Sequence, residues 1–272
     1  MEVCLLRGVG ARREDGGDVV IAGSGLQALL ALLALAVPNS VSDDRLIDEL
    51  WGDNQPGNPD NALQAKISQL RRLLGRDIVK RKGSGYLLDV EPGDVDAVRL
   101  EVLVRDGRAA SSDGDWSAAT KDFTTALDLH HREPFRELAD FRFARTAATR
   151  IEELVLAAIE GLADCRLNLG QHADAIAPLI DAVREHPYRE RFHAQLMLAL
   201  YRCGRQAEAM RAYKAARDAL VEDLGLEPGS ELQALQKAML EHDQSLIGAR
   251  SPVPPLPGVA ALPGPRGGGP HP

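Results

Sequence analysis

Residues 64–88 read QAKISQLRRLLGRDIVKRKGSGYLL. How this stretch divides decides the fold of the first third of the chain. On a helical wheel at about 100° per residue, Leu63, Ile67, Leu70 and Leu74 fall within about 60° of one another, one apolar stripe facing a core. Asn61, Ala65, Ser68, Gln69, Arg72 and Arg76 take the opposite side, with Gln64 and Arg71 on one flank and Lys66 on the other. Gly75 ends that helix, expected from about Asn61 to Leu74. Two short β-prone runs follow, DIVKRK and GYLLDV, joined by the glycine-containing tip KGSG. That pattern predicts a β-hairpin, with Gly83 and Gly85 supplying the turn and allowing close backbone approach.

The same stretch is a charge anomaly. Residues 61–85 carry Lys66, Arg71, Arg72, Arg76, Lys80, Arg81 and Lys82 against the single acid Asp77, a local charge of +6. The whole 272-residue chain has 32 Lys+Arg and 40 Asp+Glu, a formal net charge of -8, which leaves about -14 for the rest. A helix face that only needs hydration mixes both signs. This face offers amide, hydroxyl and guanidinium groups. Arg and Gln can form paired hydrogen bonds with base edges in a major groove, Ser can bond to either partner, and cations neutralise phosphates. A cation-bearing hairpin tip can reach an adjacent phosphate or the minor groove. Tyr86 reads as an anchor of the hairpin to the helix.

Outward from this segment, MEVCLL and DVVIAG predict two short strands separated by the polar turn GARREDGG. LQALLALLALAV, residues 26–37, predicts a buried helix stopped by Pro38. It has twelve residues, short of the roughly twenty that span a bilayer. SDDRLIDELWG predicts a helix capped by Ser42, with an acidic first turn and Gly52 as its stop. From Asp96 the chain reads as helical throughout, with an internal repeat. After Gly114, Gly170 and Gly204, alanine stands five residues on (Ala119, Ala175, Ala209) and again twelve on (Ala126, Ala182, Ala216). A large apolar residue stands nine on (Phe123, Leu179, Tyr213). Glycine turns between helices, small alanines allow close approach, and the large residue fills the gap. The period of 34 from Gly170 to Gly204 is that of the tetratricopeptide repeat, while the first interval is 56. The alternative is an ordinary antiparallel bundle. SPVPPLPGVAALPGPRGGGPHP reads as a disordered tail or linker.

Three dispersed cysteines, Cys4, Cys165 and Cys203, fit neither a disulfide framework nor a metal site, and read as buried and inert in a reducing cytosol. No phosphate-binding loop, H-E-x-x-H, G-x-S-x-G or dinucleotide fingerprint occurs. Adjacent His130 and His131 point about 100° apart on a helix and read as surface or cap residues. The expectation is therefore a non-enzymatic, cytoplasmic protein without cofactor, metal or membrane.

The order helix, helix, basic helix, basic hairpin behind a small N-terminal sheet is that of a winged helix-turn-helix of the OmpR/PhoB type. VSDDRLIDELWGD, NALQAKISQLRRLLG and VKRKGSGYLLDV resemble the DNA-binding domain of the Streptomyces antibiotic regulatory protein (SARP) family. LYRCGRQAEAMRAYKAARDALVEDLGLEPGSELQALQKAML resembles that family's bacterial transcriptional activation domain, and the resemblance covers about residues 1–243. It implies a mainly α protein: a winged helix-turn-helix DNA-binding domain (α+β) over residues 1–92, an all-α tetratricopeptide-like activation domain over 96–245, and the tail over 246–272. It further implies a transcriptional activator of an antibiotic biosynthetic gene cluster. Such a protein binds direct repeats near a promoter's -35 element as paired protomers and recruits RNA polymerase holoenzyme through the sigma factor. By position, Lys66, Ser68 and Gln69 would face base edges, with Gln64 beside them. Arg71, Arg72 and Arg76 would hold phosphates or nearby bases, and Lys80, Arg81, Lys82 and Ser84 would serve in the wing. One departure stands out. Relatives carry a basic residue or two just before the first helix, whereas this chain has Gln27 and no cation there, although backbone N–H groups could still bind phosphate. The rival readings are an interaction module whose basic stretch is only surface, and a regulatory piece of a larger ATPase-containing regulator.

Overall fold

The computed structural model describes residues 1–130 and 133–247. The Pro/Gly-rich tail from residue 248 and His131 lie outside the described residues. His130 caps the end of a helix.

The N-terminal sheet has three strands rather than two. β1 (Glu2–Cys4), β2 (Gly10–Arg12) and β3 (Asp18–Val20) pair antiparallel in that order. β2 lies inside the segment expected to be a turn. Only Ala11 of its three residues is buried, so the polar composition of GARREDGG hides it. α1 (Ser24–Leu35) starts two residues ahead of the expected run, and its residues from Ala28 to Ala34 are all buried. A helix apolar all round must sit inside a core, and α1 is the central rod of this unit. α2 (Asp43–Trp51) begins at Ser42, whose hydroxyl accepts from the Arg45 N–H at 3.4 Å. α3 (Pro59–Leu74) is capped by the Asn58 side chain and buries Leu63, Ile67, Leu70 and Leu74, the expected stripe.

β5 (Val79–Lys82) and β6 (Gly85–Leu88) form the expected hairpin, and β4 (Val41–Ser42) joins β6 on its other edge. Lys82 pairs with Gly85, leaving the two-residue loop Gly83-Ser84. Gly83 has φ 59 while Ser84 keeps a negative φ, the signature of a hairpin turn with glycine first. Gly85 serves a different purpose from the one expected. A Cβ there would lie 2.1 Å from the Val41 carbonyl oxygen, so the close backbone approach is to the chain's own β4.

The helical part contains α4 (Asp96–Ser112), α5 (Trp116–Leu129), α6 (Arg142–Asn168), α7 (His172–Glu185), α8 (Glu190–Arg202), α9 (Gln206–Leu224) and α10 (Ser230–Leu240). Gly114, Gly170 and Gly204 take φ 80, 75 and 76 at the turns α4/α5, α6/α7 and α8/α9. All six repeat alanines, together with Phe123, Leu179 and Tyr213, are buried. The tetratricopeptide-like reading therefore describes the architecture: three helical hairpins, with α10 packed against α8 and α9. The long first interval has a simple cause. α6 has 27 residues, and a 3-10 turn at Arg136–Leu138 separates it from α5.

One continuous apolar core runs from Val3 to Cys165 and so joins the N-terminal unit to α4, α5 and α6. The passage near residues 92–96 is a change in element type, not a gap in packing. Val3 forms a parallel bridge with Val95. The buried carboxylate of Asp96 accepts from the Leu5 N–H at 2.8 Å, the Leu6 N–H at 3.0 Å and its neighbour Ala97 N–H at 2.7 Å. Burial pushes the Asp96 carboxyl above its ordinary value, against the opposing pull of these N–H donors. Of the three free cysteines, Cys165 is buried as expected, Cys4 is half-buried and Cys203 is exposed. Among the described residues no helix is long and apolar enough to cross a membrane.

Candidate DNA-binding face

α3 is held against α1 by its leucine stripe, so its opposite face is set by the helix period. Gln64, Ser68, Gln69 and Arg72 are exposed on that face, whereas the two flanking cations, Lys66 and Arg71, are half-buried; Arg76, expected on the same face, is exposed but lies in the turn beyond the Gly75 stop, where the helix period no longer places it. The helix starts earlier than expected and so includes one acid, Asp60, in its first turn. A carboxylate there favours the helix dipole, and by the wheel it lies on the Gln64 flank, away from Ser68 and Arg72.

The two half-buried cations differ in what they touch. The Lys66 ammonium lies over the first turn of α1: a Cβ built on Gly25 would stand 2.6 Å from Lys66 Nζ. α1 has no side-chain cap, and its N-cap is Gly23. Leu26 and Gln27 N–H both donate to the Gly23 carbonyl, at 3.0 and 3.1 Å, so the start of α1 is closed by backbone alone; the positive end of its helix dipole and a lysine ammonium thus meet at one place, an arrangement suited to an anion. The cation missing beside Gln27 is supplied from α3. Arg71 is turned inward. Its Nε donates to the Val79 carbonyl at 2.8 Å, and its guanidinium lies 5.6 Å from the centre of the Tyr86 ring. Arg71 therefore fastens the C-terminal half of α3 to the hairpin.

The hairpin is fastened at its tip as well. The Ser84 carbonyl accepts from the Asp43 N–H at 3.0 Å, and Arg81 pairs with the Asp43 carboxylate at 2.8 Å. Arg81 also stacks over Tyr86 at 4.7 Å, and Tyr86 is buried. The expected anchoring role of Tyr86 thus appears as contact with two arginines, one from α3 and one from β5. Bonds to Tyr86 and Asp43 raise Arg81 above the ordinary guanidinium value. Lys80 is bound to Asp89, which raises its ammonium likewise. Both pairs are half-exposed, so each is easily exchanged for another anion. The side chains of Lys82, Arg72 and Arg76 are exposed and form no ion pair or hydrogen bond among the described residues. Sequence reasoning placed these cations in the right segments except Arg76, which it put on the helix face and which lies beyond the helix end. It missed the inward turn of Arg71 and the carboxylate partners of Lys80 and Arg81, because those depend on how the hairpin folds back.

A regulatory two-part architecture is what these features define, and comparison with known proteins bears this out. The family model described as "Transcriptional regulatory protein, C terminal" matches residues 19–88, and that described as "Bacterial transcriptional activator domain" matches residues 95–240. The chain is 35% identical over 244 residues to the regulatory protein DnrI of Streptomyces peucetius, covering 85% of this chain and 89% of that one. It is 36% identical to the transcriptional regulator RedD of Streptomyces coelicolor, covering 90% and 72%. A solved structure of Mycobacterium tuberculosis EmbR, in complex with a low-affinity phosphopeptide, superposes with a TM-score of 0.81 at 28% identity, over 90% of this chain and 68% of that one. The protein is thus a transcriptional regulator and not an enzyme. The chain belongs to the Streptomyces antibiotic regulatory protein family.

Proposed function

We propose that the protein is a sequence-specific DNA-binding activator of a secondary-metabolite gene cluster, acting in the cytoplasm. α3 enters the major groove and presents Gln64, Ser68, Gln69 and Arg72 to base edges. Lys66 and the first turn of α1 together hold one phosphate, while Arg76 and Lys82 hold others. Lys80 and Arg81 exchange their carboxylates for phosphates as the wing seats, and Ser84 lies at its tip. Arg71 acts by positioning the wing relative to α3. The observation that carries this reading is the carboxylate-free outer face of α3 from Ser68 to Arg72 in a chain of net charge -8.

Paired protomers occupying direct repeats near a -35 element would place two acidic helical units beside RNA polymerase holoenzyme, within reach of the sigma factor. The negative remainder of the chain discourages non-specific wrapping of DNA. Footprinting over the promoters of the host cluster tests the reading. Protection of spaced direct repeats is expected from the native chain, with loss of protection in Arg72→Ala. Equal protection by native chain and variant would exclude α3 as the reading helix.

A further inference from the structure

Directly opposite the buried stripe of α3 stand Asn61, Ala65, Ser68 and Arg72. On the helical wheel they fall within about 60° of one another, and all four are exposed. Gln64 and Gln69 lie about 70° to either side of this crest. Asp60, the one acid of the helix, is about 100° from Asn61. Asn61 is the crest residue nearest the start of α3, and the contacts proposed above do not use it. Its backbone N–H is already capped by the Asn58 side chain at 3.0 Å, so capping does not need its amide. That amide makes no hydrogen bond among the described residues. Asparagine is a poorer helix former than alanine, so the fold gains nothing from it here.

We infer that Asn61 is a specificity-determining residue that reads an adenine in the major groove; this rests on α3 being the reading helix, as proposed above. Adenine presents an N7 acceptor beside an N6 donor in that groove, and a planar amide offers the matching donor and acceptor as one pair. Guanine presents two acceptors there, which leaves the amide carbonyl without a donor. A recognition helix meets base edges with its N-terminal residues, and Asn61 stands in the first turn of α3. Its side chain is short, so it reaches a base only when the helix sits deep. Ala65, the next crest residue, allows that approach because it carries a single methyl, which can also meet a thymine methyl. Gln64 and Gln69 carry the same amide but lean towards the groove walls.

The test uses the full chain and fluorescence anisotropy on the promoter half-site that footprinting protects. Each adenine is replaced in turn by 7-deazaadenine, which keeps the base pair and removes the N7 acceptor. For the native chain, replacement at one adenine is expected to weaken binding about tenfold. Asn61→Ala should weaken binding to the unmodified site about tenfold, leave scrambled DNA and the salt slope unchanged, and be insensitive to replacement of that same adenine. Its Tm should equal or exceed the native value because alanine favours helix, so lost binding is not lost folding. Native affinity in Asn61→Ala, or the same loss on 7-deazaadenine replacement in native chain and variant, overturns the inference. Arg72→Ala separates it from the wider reading. Promoter binding weakened by Arg72→Ala but not by Asn61→Ala overturns the assignment of Asn61 alone, and promoter binding unchanged in both overturns α3 as the reading helix as well.

Discussion

Lys66 of α3 lays its ammonium over Gly25 in the first turn of α1, so closely that no Cβ fits between them. Residues 41 apart in sequence thereby meet at one place, which in the function proposed above holds a phosphate. Lys66→Ala should lower the log-log salt slope of DNA binding by about 0.9, the value of one lost phosphate contact, without altering base preference. Gly25→Ala should do the same by displacing the ammonium. Titration of promoter DNA by fluorescence anisotropy at several salt concentrations measures this. A changed base preference in Lys66→Ala would instead place that side chain in the groove.

Gly85→Ala should destabilise the hairpin, because the new methyl would lie 2.1 Å from the Val41 carbonyl and 2.8 Å from the Ser42 Cα, both backbone atoms that cannot step aside. Overpacking of this kind costs about 1–3 kcal/mol or more. Gly83→Ala meets no atom within 4 Å and only pays for its φ of 59, so about 1 kcal/mol is expected. Urea unfolding of both variants should rank them in that order.

Phe123 is clasped between Gly107 of α4 and Gly161 of α6, where a Cβ would come within 2.9 Å and 2.4 Å of its ring. Gly161→Ala should therefore cost about 1–3 kcal/mol despite the helix preference for alanine. Combining it with Phe123→Leu should recover part of that loss, a coupling that a double-mutant cycle in urea reads directly.

Asp96 tests the join between the two units. Asn at this position keeps one acceptor oxygen but turns an NH2 group towards backbone donors. Asp96→Asn should therefore lose about 1–3 kcal/mol. Burial raises the folded pKa of Asp96 above that of the unfolded chain, so the cost of its charge appears as pH rises through the folded value. The native chain should consequently exceed Asp96→Asn by more near pH 4 than at pH 7, which urea midpoints at the two pH values compare.

His193 should make stability fall in mild acid. Its ring is buried, and Nε2 donates to the Pro187 carbonyl at 2.8 Å while Nδ1 has no hydrogen-bond partner. Burial depresses its pKa, with the Pro187 bond opposing. A depressed histidine contributes stability that is present above the unfolded value of about 6.5 and lost as pH falls through the folded value. A decline in Tm between pH 7 and 5.5 that is smaller in His193→Gln is expected.

Features legible in the sequence were those set by helix period or by repeated spacing. The stripe Leu63, Ile67, Leu70 and Leu74 fixed which side of α3 faces outward. Gly114, Gly170 and Gly204 marked three helical turns even though the first interval is long. Features set by contacts between distant segments were not legible. Asp96 meets Leu5 across 91 residues, and nothing near Asp96 signals a buried acid. Arg71 lies on a flank of the wheel, and only the returning hairpin supplies the Val79 carbonyl that turns it inward. β2 was hidden because a strand of three residues with one buried side chain has too little period to read.

The central claim is that the outer face of α3 and the wing together touch DNA, each in its own way. The most direct measurement is the salt dependence of binding to promoter and scrambled DNA for the native chain, Arg72→Ala and Lys82→Ala. Lys82→Ala should weaken both DNAs alike and reduce the slope by about 0.9. Arg72→Ala should weaken promoter binding by about 1–3 kcal/mol and narrow the gap between promoter and scrambled DNA. Unchanged affinity and slope in both variants would contradict the account.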